Sequence, residues 1–130
     1  YNTPDLLAEA GIQYVCDWVA DDQPFPMKVR RGSLLAMPYT LELNDIPLFI
    51  GQNRTGQQYF ETIRDQFDVL YREGATIPRT MAIAVHPFLV GIPHLSKHFE
   101  RAIEYIASHK DVWFCTGDDI ATWYEKEYVR

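Results

Sequence analysis

Apolar positions recur along this chain with two periods, and the changes between them predict its elements. Phe60, Ile63, Phe67, Leu70 and Tyr71 fall on one stripe at helical spacing. Thr55 followed by Gln58 reads as a capping box, and Gly74 as a stop, so a helix is predicted over 55–73. Residues 96–109 carry Phe99, Ile103 and Ile106 at the same period and form a second predicted helix. A third begins at Thr116, with Asp119 completing a capping box, and runs to about Tyr128. A short helix opens the chain at Thr3-Pro4-Asp5, with Thr3 as its cap, Pro4 in its first turn and Gly11 at its exit.

Between these stretches the pattern changes. Residues 13–18 are β-branched and aromatic and read as a strand. Thr80-Met81-Ala82-Ile83-Ala84-Val85 is nearly all apolar, so 79–86 is predicted as a strand buried on both faces of a parallel sheet. Residues 112–115 form a short apolar strand. Prolines and aspartates make 19–26 a loop, and 87–93 is another. Residues 27–39 look like a hairpin or extended excursion around Arg31-Gly32-Ser33, with 34–37 as its second strand. Pro47 breaks any long helix over 42–52, where irregular structure or short turns are expected.

Strands alternating with helices imply an α/β fold built from parallel βα units, with about three to four parallel core strands. Three strands close no sheet, and a (β/α) barrel needs roughly 200 residues or more. The pattern therefore reads as one domain, 1–130, that is a portion of something larger. No internal repeat, low-complexity tract or linker divides it.

Composition changes this picture little. Apolar residues make up 47% and charged residues 23%, the balance of a globular domain. The net charge of -6 argues against a nucleic-acid partner, which usually meets a basic face. No apolar run approaches the length of about 18 residues that a membrane span needs, so no membrane partner is expected. Cys16 and Cys115 both sit in apolar strand-like runs and are expected as buried free thiols rather than a disulfide. The chain begins at Tyr1 and not at Met, so its start is expected to reflect a boundary or processing. A cytoplasmic location is the expectation.

Four groups of residues could carry chemistry. Asp17, Trp18, Asp21 and Asp22 follow the first strand at its C-terminal end, where parallel α/β folds bind ligands. Carboxylates this close need a cation, a hydrogen-bond network or plain exposure to water, and a solvated acidic loop fits as well as a site. His86 ends the apolar strand at the same edge and is followed by Pro87. An imidazole with an ordinary pKa of about 6.5 suits acid or base work there, and a structural capping role suits it equally. His94 and His98 share a helix face at i, i+4, which is metal-ligand spacing, but no third ligand is in sight. Tyr39, Asn44 and Asp45 lie in a segment rich in prolines and polar residues, which marks either a rigid functional loop or a turn. No phosphate loop or nucleophile elbow is present.

Taken in order, these pieces resemble the C-terminal half of polysaccharide deacetylases of the NodB-homology group, carbohydrate esterase family 4-like. The run T-P-D-L-L-A-E-A-G-I-Q-Y-V-C-D-W-V-A-D-D-Q-P is similar to the branch that holds allantoinase-like and peptidoglycan-deacetylase-like proteins. M-P-Y with E-L-N-D-I-P, F-D-V-L-Y-R-E-G, M-A-I-A-V-H-P and V-W-F follow with the same order and spacing. The resemblance implies part of a deformed, TIM-like (β/α) barrel from a hydrolase acting on carbon–nitrogen bonds other than peptide bonds. It also implies carbohydrate metabolism, through N-deacetylation of an amino-sugar polymer or opening of a small cyclic amide. In that family a divalent metal, usually zinc, polarises the carbonyl and activates water.

By the same resemblance, His86 matches a late acid His. Asp17 and Trp18 match an acidic-Trp motif that shapes the pocket and orients that His. Asp21 and Asp22 belong to an extension of the motif, and Tyr39, Asn44 and Asp45 are expected to bind substrate. The T-F-D-D-like and H-x-x-x-H motifs that hold the family's metal are absent, so no metal ligand is assigned here and the chain alone is expected to be inactive. His94 and His98 come after the acid His, where the family has no ligands. The expected partners are the substrate and a missing N-terminal half or a second copy. The alternative is a non-catalytic remnant or interaction domain that self-associates.

Overall fold

Residues 2–129 are described by a computed structural model. They form two compact units, one from the residues up to Tyr39 together with those from Phe114 onward, the other spanning Thr40–Trp113.

The first unit opens with helix α1, Thr3–Glu9. Its cap position is Asn2 and not Thr3, with Pro4 in the first turn where its missing N–H is harmless. The chain leaves past Gly11, whose φ of 78° is the left-handed conformation that glycine adopts freely. Asp5 accepts the backbone N–H and the Nε–H of Arg30, each at 2.8 Å, and so pins the excursion to α1.

Strands β1 (Tyr14–Val15), β2 (Phe25–Pro26) and β3 (Leu35–Ala36) make a sheet of order β1-β3-β2. β1 runs parallel to β3, and β2 antiparallel to it. The stretch expected to be all loop thus ends in a strand. Pro26 is tolerated there because β2 lies at the edge of the sheet, where one side of the backbone needs no partner. Helix α4 (Gly117–Tyr128) starts on the expected capping box, with Thr116 and Asp119 exchanging bonds. Its Ala121, Ile120 and Tyr124 pack with Leu35, Met37 and Tyr14.

Cys16 and Cys115 are free but exposed, which corrects their expected burial. Their runs are apolar, yet β1 is an outer strand and 112–115 forms no strand, so neither run is covered on both faces. Partial desolvation of the sulfurs, and then Asp17 beside Cys16 and Asp119 beside Cys115, push both thiols up.

In the second unit a 3-10 turn at Leu41–Leu43 and a π-helical turn at Pro47–Gly51 replace any longer helix, as Pro47 requires. Helix α2 (Gly56–Gly74) begins on the predicted capping box: Thr55 Oγ1 accepts the Gln58 N–H, and Gln58 Oε1 accepts the Thr55 N–H. Helix α3 (Pro93–Ala107) starts three residues earlier than expected, because Pro93 suits a first turn. Tyr59, Phe60, Ile63 and Phe67 of α2 meet Ala102 and Ile106 of α3 in one core, with Leu43, Leu48 and Val90. Each large apolar side chain buried this way contributes about 1.5–3 kcal/mol. The stripe differs from expectation at its ends. Tyr59 joins it fully buried, while Tyr71 lies outside and stacks on Phe67 at 5.3 Å.

Residues 79–86 and 112–115 are not strands, and the expected set of parallel core strands reduces to the β1–β3 pair. An apolar run reports a tendency to be buried; a strand also needs a hydrogen-bonded neighbour. In 82–86 alternate residues nevertheless turn to one side. The Ala82 N–H donates to Thr40 Oγ1 (3.1 Å), the Ala84 carbonyl accepts the Asp45 N–H (3.1 Å), and the His86 N–H donates to Asp45 Oδ2 (2.7 Å). Met81 and Ile83, on the other parity, pack against the core, while Val85 is exposed.

Candidate active site

That alternation sets up the site. Leu43 and Leu48 anchor the 40–48 segment in the core, and Asp45 between them has no exposed surface. A buried carboxylate is tolerated only when donors compensate its lost hydration. His86 supplies two: its backbone N–H reaches Asp45 Oδ2 at 2.7 Å, and its ring Nδ1 lies 2.6 Å from Asp45 Oδ1.

An ionised carboxylate has acceptors only, so against it Nδ1 carries the proton and Nε2 is left as the ring nitrogen that Asp45 does not engage. The His86 side chain is 36% exposed while that of Asp45 is 0% exposed, so the pair joins a buried anchor to an accessible imidazole. The segment turns sharply just beyond. The His86 carbonyl accepts the N–H groups of Leu89 and Val90, and a Cβ at Gly91 would stand 2.3 Å from the Pro87 oxygen. Phe88 places its ring 5.6 Å from that of His86 and is 61% exposed.

The other predicted residues distribute as follows. Asn44 lies beside the pair in sequence, and its Oδ1 accepts the Ile46 N–H at 2.9 Å, which shapes the turn that presents Asp45. Asp17, Trp18, Asp21, Asp22 and Tyr39 belong to the first unit. Asp17, Trp18 and Asp21 are exposed, and Asp22 and Tyr39 are half-buried. Asp21 Oδ1 accepts the Asp22 N–H at 2.7 Å. Within the second unit the structure therefore brings Asp45 and His86 together, and the carboxylate on His86 Nδ1 is Asp45, a role the resemblance attaches to Asp17 and Trp18.

Sequence reasoning named Asp45 but did not pair it with His86, 41 residues away. It passed over Tyr59, whose hydroxyl is buried with no hydrogen-bond partner among the described residues. The available signal was a Tyr one position before the apolar stripe.

A metal does not fit the donors present. Among the described residues no three His, Cys, Asp or Glu side chains converge to hold one. His94 and His98 both lie inside α3, but the His98 ring packs on Gly56, where a Cβ would come within 2.3 Å of its Cδ2. Burial, then Lys97, Arg101 and His94, hold that imidazole below its ordinary value.

No family model matches the chain. A Schizosaccharomyces pombe (strain 972 / ATCC 24843) protein described as a polysaccharide deacetylase is 37% identical over 111 residues, covering 80% of this chain and 33% of that protein. Among solved structures, one from Pseudomonas aeruginosa PAO1 described as a polysaccharide deacetylase superposes with a TM-score of 0.90 at 38% identity, covering 98% of this chain and 44% of the other. Puue allantoinase gives a TM-score of 0.85 at 36% identity, over 95% of this chain and 42% of its own. The chain thus spans less than half the length of these relatives. Over that span it is related in sequence and in fold to the NodB-like polysaccharide deacetylases and allantoinase.

Proposed function

We propose that this chain supplies the proton-donor side of a hydrolase site that cleaves carbon–nitrogen bonds other than peptide bonds, by N-deacetylation of an amino sugar or opening of a cyclic amide. The observation that carries this reading is the fully buried Asp45 holding Nδ1 of a half-exposed His86. Such a pair fixes the ring and directs Nε2 outward, where a protonated imidazole can deliver a proton to a departing amine nitrogen. Asp17 is proposed to serve in catalysis, and Trp18, Asp21, Asp22, Tyr39 and Asn44 to contact substrate. The likeness to a solved deacetylase and an allantoinase supports both the reaction class and a deformed (β/α) barrel as the setting.

On this reading the step that starts the reaction, activation of water, belongs to groups outside these 130 residues. The chain by itself is then expected to show no turnover of N-acetyl amino sugars or cyclic amides, with or without zinc. Robust zinc-dependent turnover by the chain alone contradicts that. Joined to the remaining part of the Pseudomonas relative, it is expected to give activity that His86→Gln lowers by about 10²–10⁴-fold. An active His86→Gln chimera would remove the proton-donor assignment.

Exposed apolar side chains favour a second reading, a non-catalytic domain that self-associates. Ile77, Val85, Phe88 and Trp113 are exposed in the second unit, and Trp18, Val19 and Phe114 in the first. Surfaces of this kind often mark interaction sites. Light scattering decides it: a monomer at high concentration rules this reading out.

A further inference from the structure

Two deficits in the core of the second unit match each other. Tyr59 is wholly buried and its hydroxyl has no hydrogen-bond partner among the described residues. A buried hydroxyl without a partner is unfavourable, and in native proteins such groups usually mark a function or a bound water. Asp45, equally buried, is a carboxylate with about four acceptor positions. Among the described residues, both donors that reach it come from His86, one on each oxygen, which leaves acceptor capacity on both. Leu43 and Leu48, which flank Asp45 in the chain, pack in the same cluster as Tyr59, and the Phe49 ring lies 4.9 Å from that of Tyr59.

We infer that Tyr59 is a positioning residue for His86: its phenolic hydroxyl donates toward the Asp45 carboxylate through one buried water, and so holds that carboxylate aimed at Nδ1. Burial, and then the charge of Asp45, push the Tyr59 phenol up, so it keeps its proton and remains a donor. The consequence falls on His86. A carboxylate held on Nδ1 selects the Nδ1–H tautomer and leaves Nε2 for the substrate side, whereas a rotated one releases that choice. This inference deepens the proposed acid role of His86 and rests on it for its meaning in catalysis. Its structural content stands apart and is tested without turnover.

The test is Tyr59→Phe in the 130-residue chain, with two readouts. Nitrogen NMR of the His86 ring reports the tautomer, and thermal unfolding reports whether the hydroxyl was bonded. The expected result is a folded variant with a Tm lower by several degrees and His86 ring signals shifted from the Nδ1–H tautomer toward a mixture. Unchanged His86 ring signals in a folded variant overturn the inference, whatever happens to the Tm. Should Tyr59→Phe not fold, the unsubstituted chain decides. A Tyr59 hydroxyl proton protected from exchange and cross-relaxing with the His86 Nδ1 proton supports the inference, and one exchanging as fast as an exposed phenol overturns it. Loss of the proposed hydrolase activity in a chimera would leave these signals untouched, so the two failures are separable.

Discussion

Asp45 shows how much a single side chain can hold in place. It is fully buried, and its two oxygens take the backbone N–H and the ring nitrogen of His86. Asp45→Asn keeps the size but turns one acceptor into a donor, which either faces a His86 N–H or drives the ring to its Nε2–H tautomer. Losing the carboxylate's stronger bonds costs about 1–3 kcal/mol, so the urea midpoint should fall with an unchanged m-value. An unchanged midpoint would mean that the pair adds nothing to the fold. His98 offers a pH test. Its folded-state pKa is lowered, chiefly by burial and further by Lys97, Arg101 and His94. The unfolded chain therefore binds this proton at higher pH than the folded one. The stabilisation is present above the unfolded value of about 6.5 and is lost as pH falls from there toward the folded value. His98→Gln should shrink the stability difference measured between about pH 7.5 and about pH 5.5.

At the scale of elements, helices were legible and strands only in part: β1 and β3 fall inside runs read as strands, whereas 79–86 and 112–115 form none. Both capping boxes appear as the residues foretold, because Thr55 with Gln58 and Thr116 with Asp119 satisfy helix N–H groups within one turn. The run from Thr80 to Val85 looked equally clear, yet its order comes from Thr40 and Asp45, about 40 residues away in sequence, by bonds at alternate residues. No local pattern encodes that partner. The turn after His86 is a further element-scale feature, tight because the backbone of Gly91 passes the Pro87 carbonyl. A Cβ there would meet the oxygen at 2.3 Å, well inside contact distance. Gly91→Ala must open this turn, and a loss of about 1–3 kcal/mol is expected on the overpacking scale, read by thermal unfolding. Because the turn hangs on the His86 carbonyl, the His86 ring signals should move as well.

For the whole molecule, the thiols give the simplest check. Both cysteines are free and exposed, so the folded chain should yield two equivalents to a thiol reagent without denaturant. Both thiols are pushed up, so near neutral pH the reaction should run slower than with an unperturbed thiol. One equivalent or none would contradict the exposure described for the two residues.

The sequence by itself determined the helices, the two capping boxes, the α/β class and the family likeness, because these rest on short-range periodicity and on motifs that keep their order. It also picked out His86 and Asp45 as separate candidates. Only the tertiary structure decided that they form one pair, that Tyr59 lies fully buried, and that the cysteines are exposed. Hydrogen bonds between distant segments and solvent access depend on which surfaces meet, and a linear pattern of apolar and polar residues does not record that.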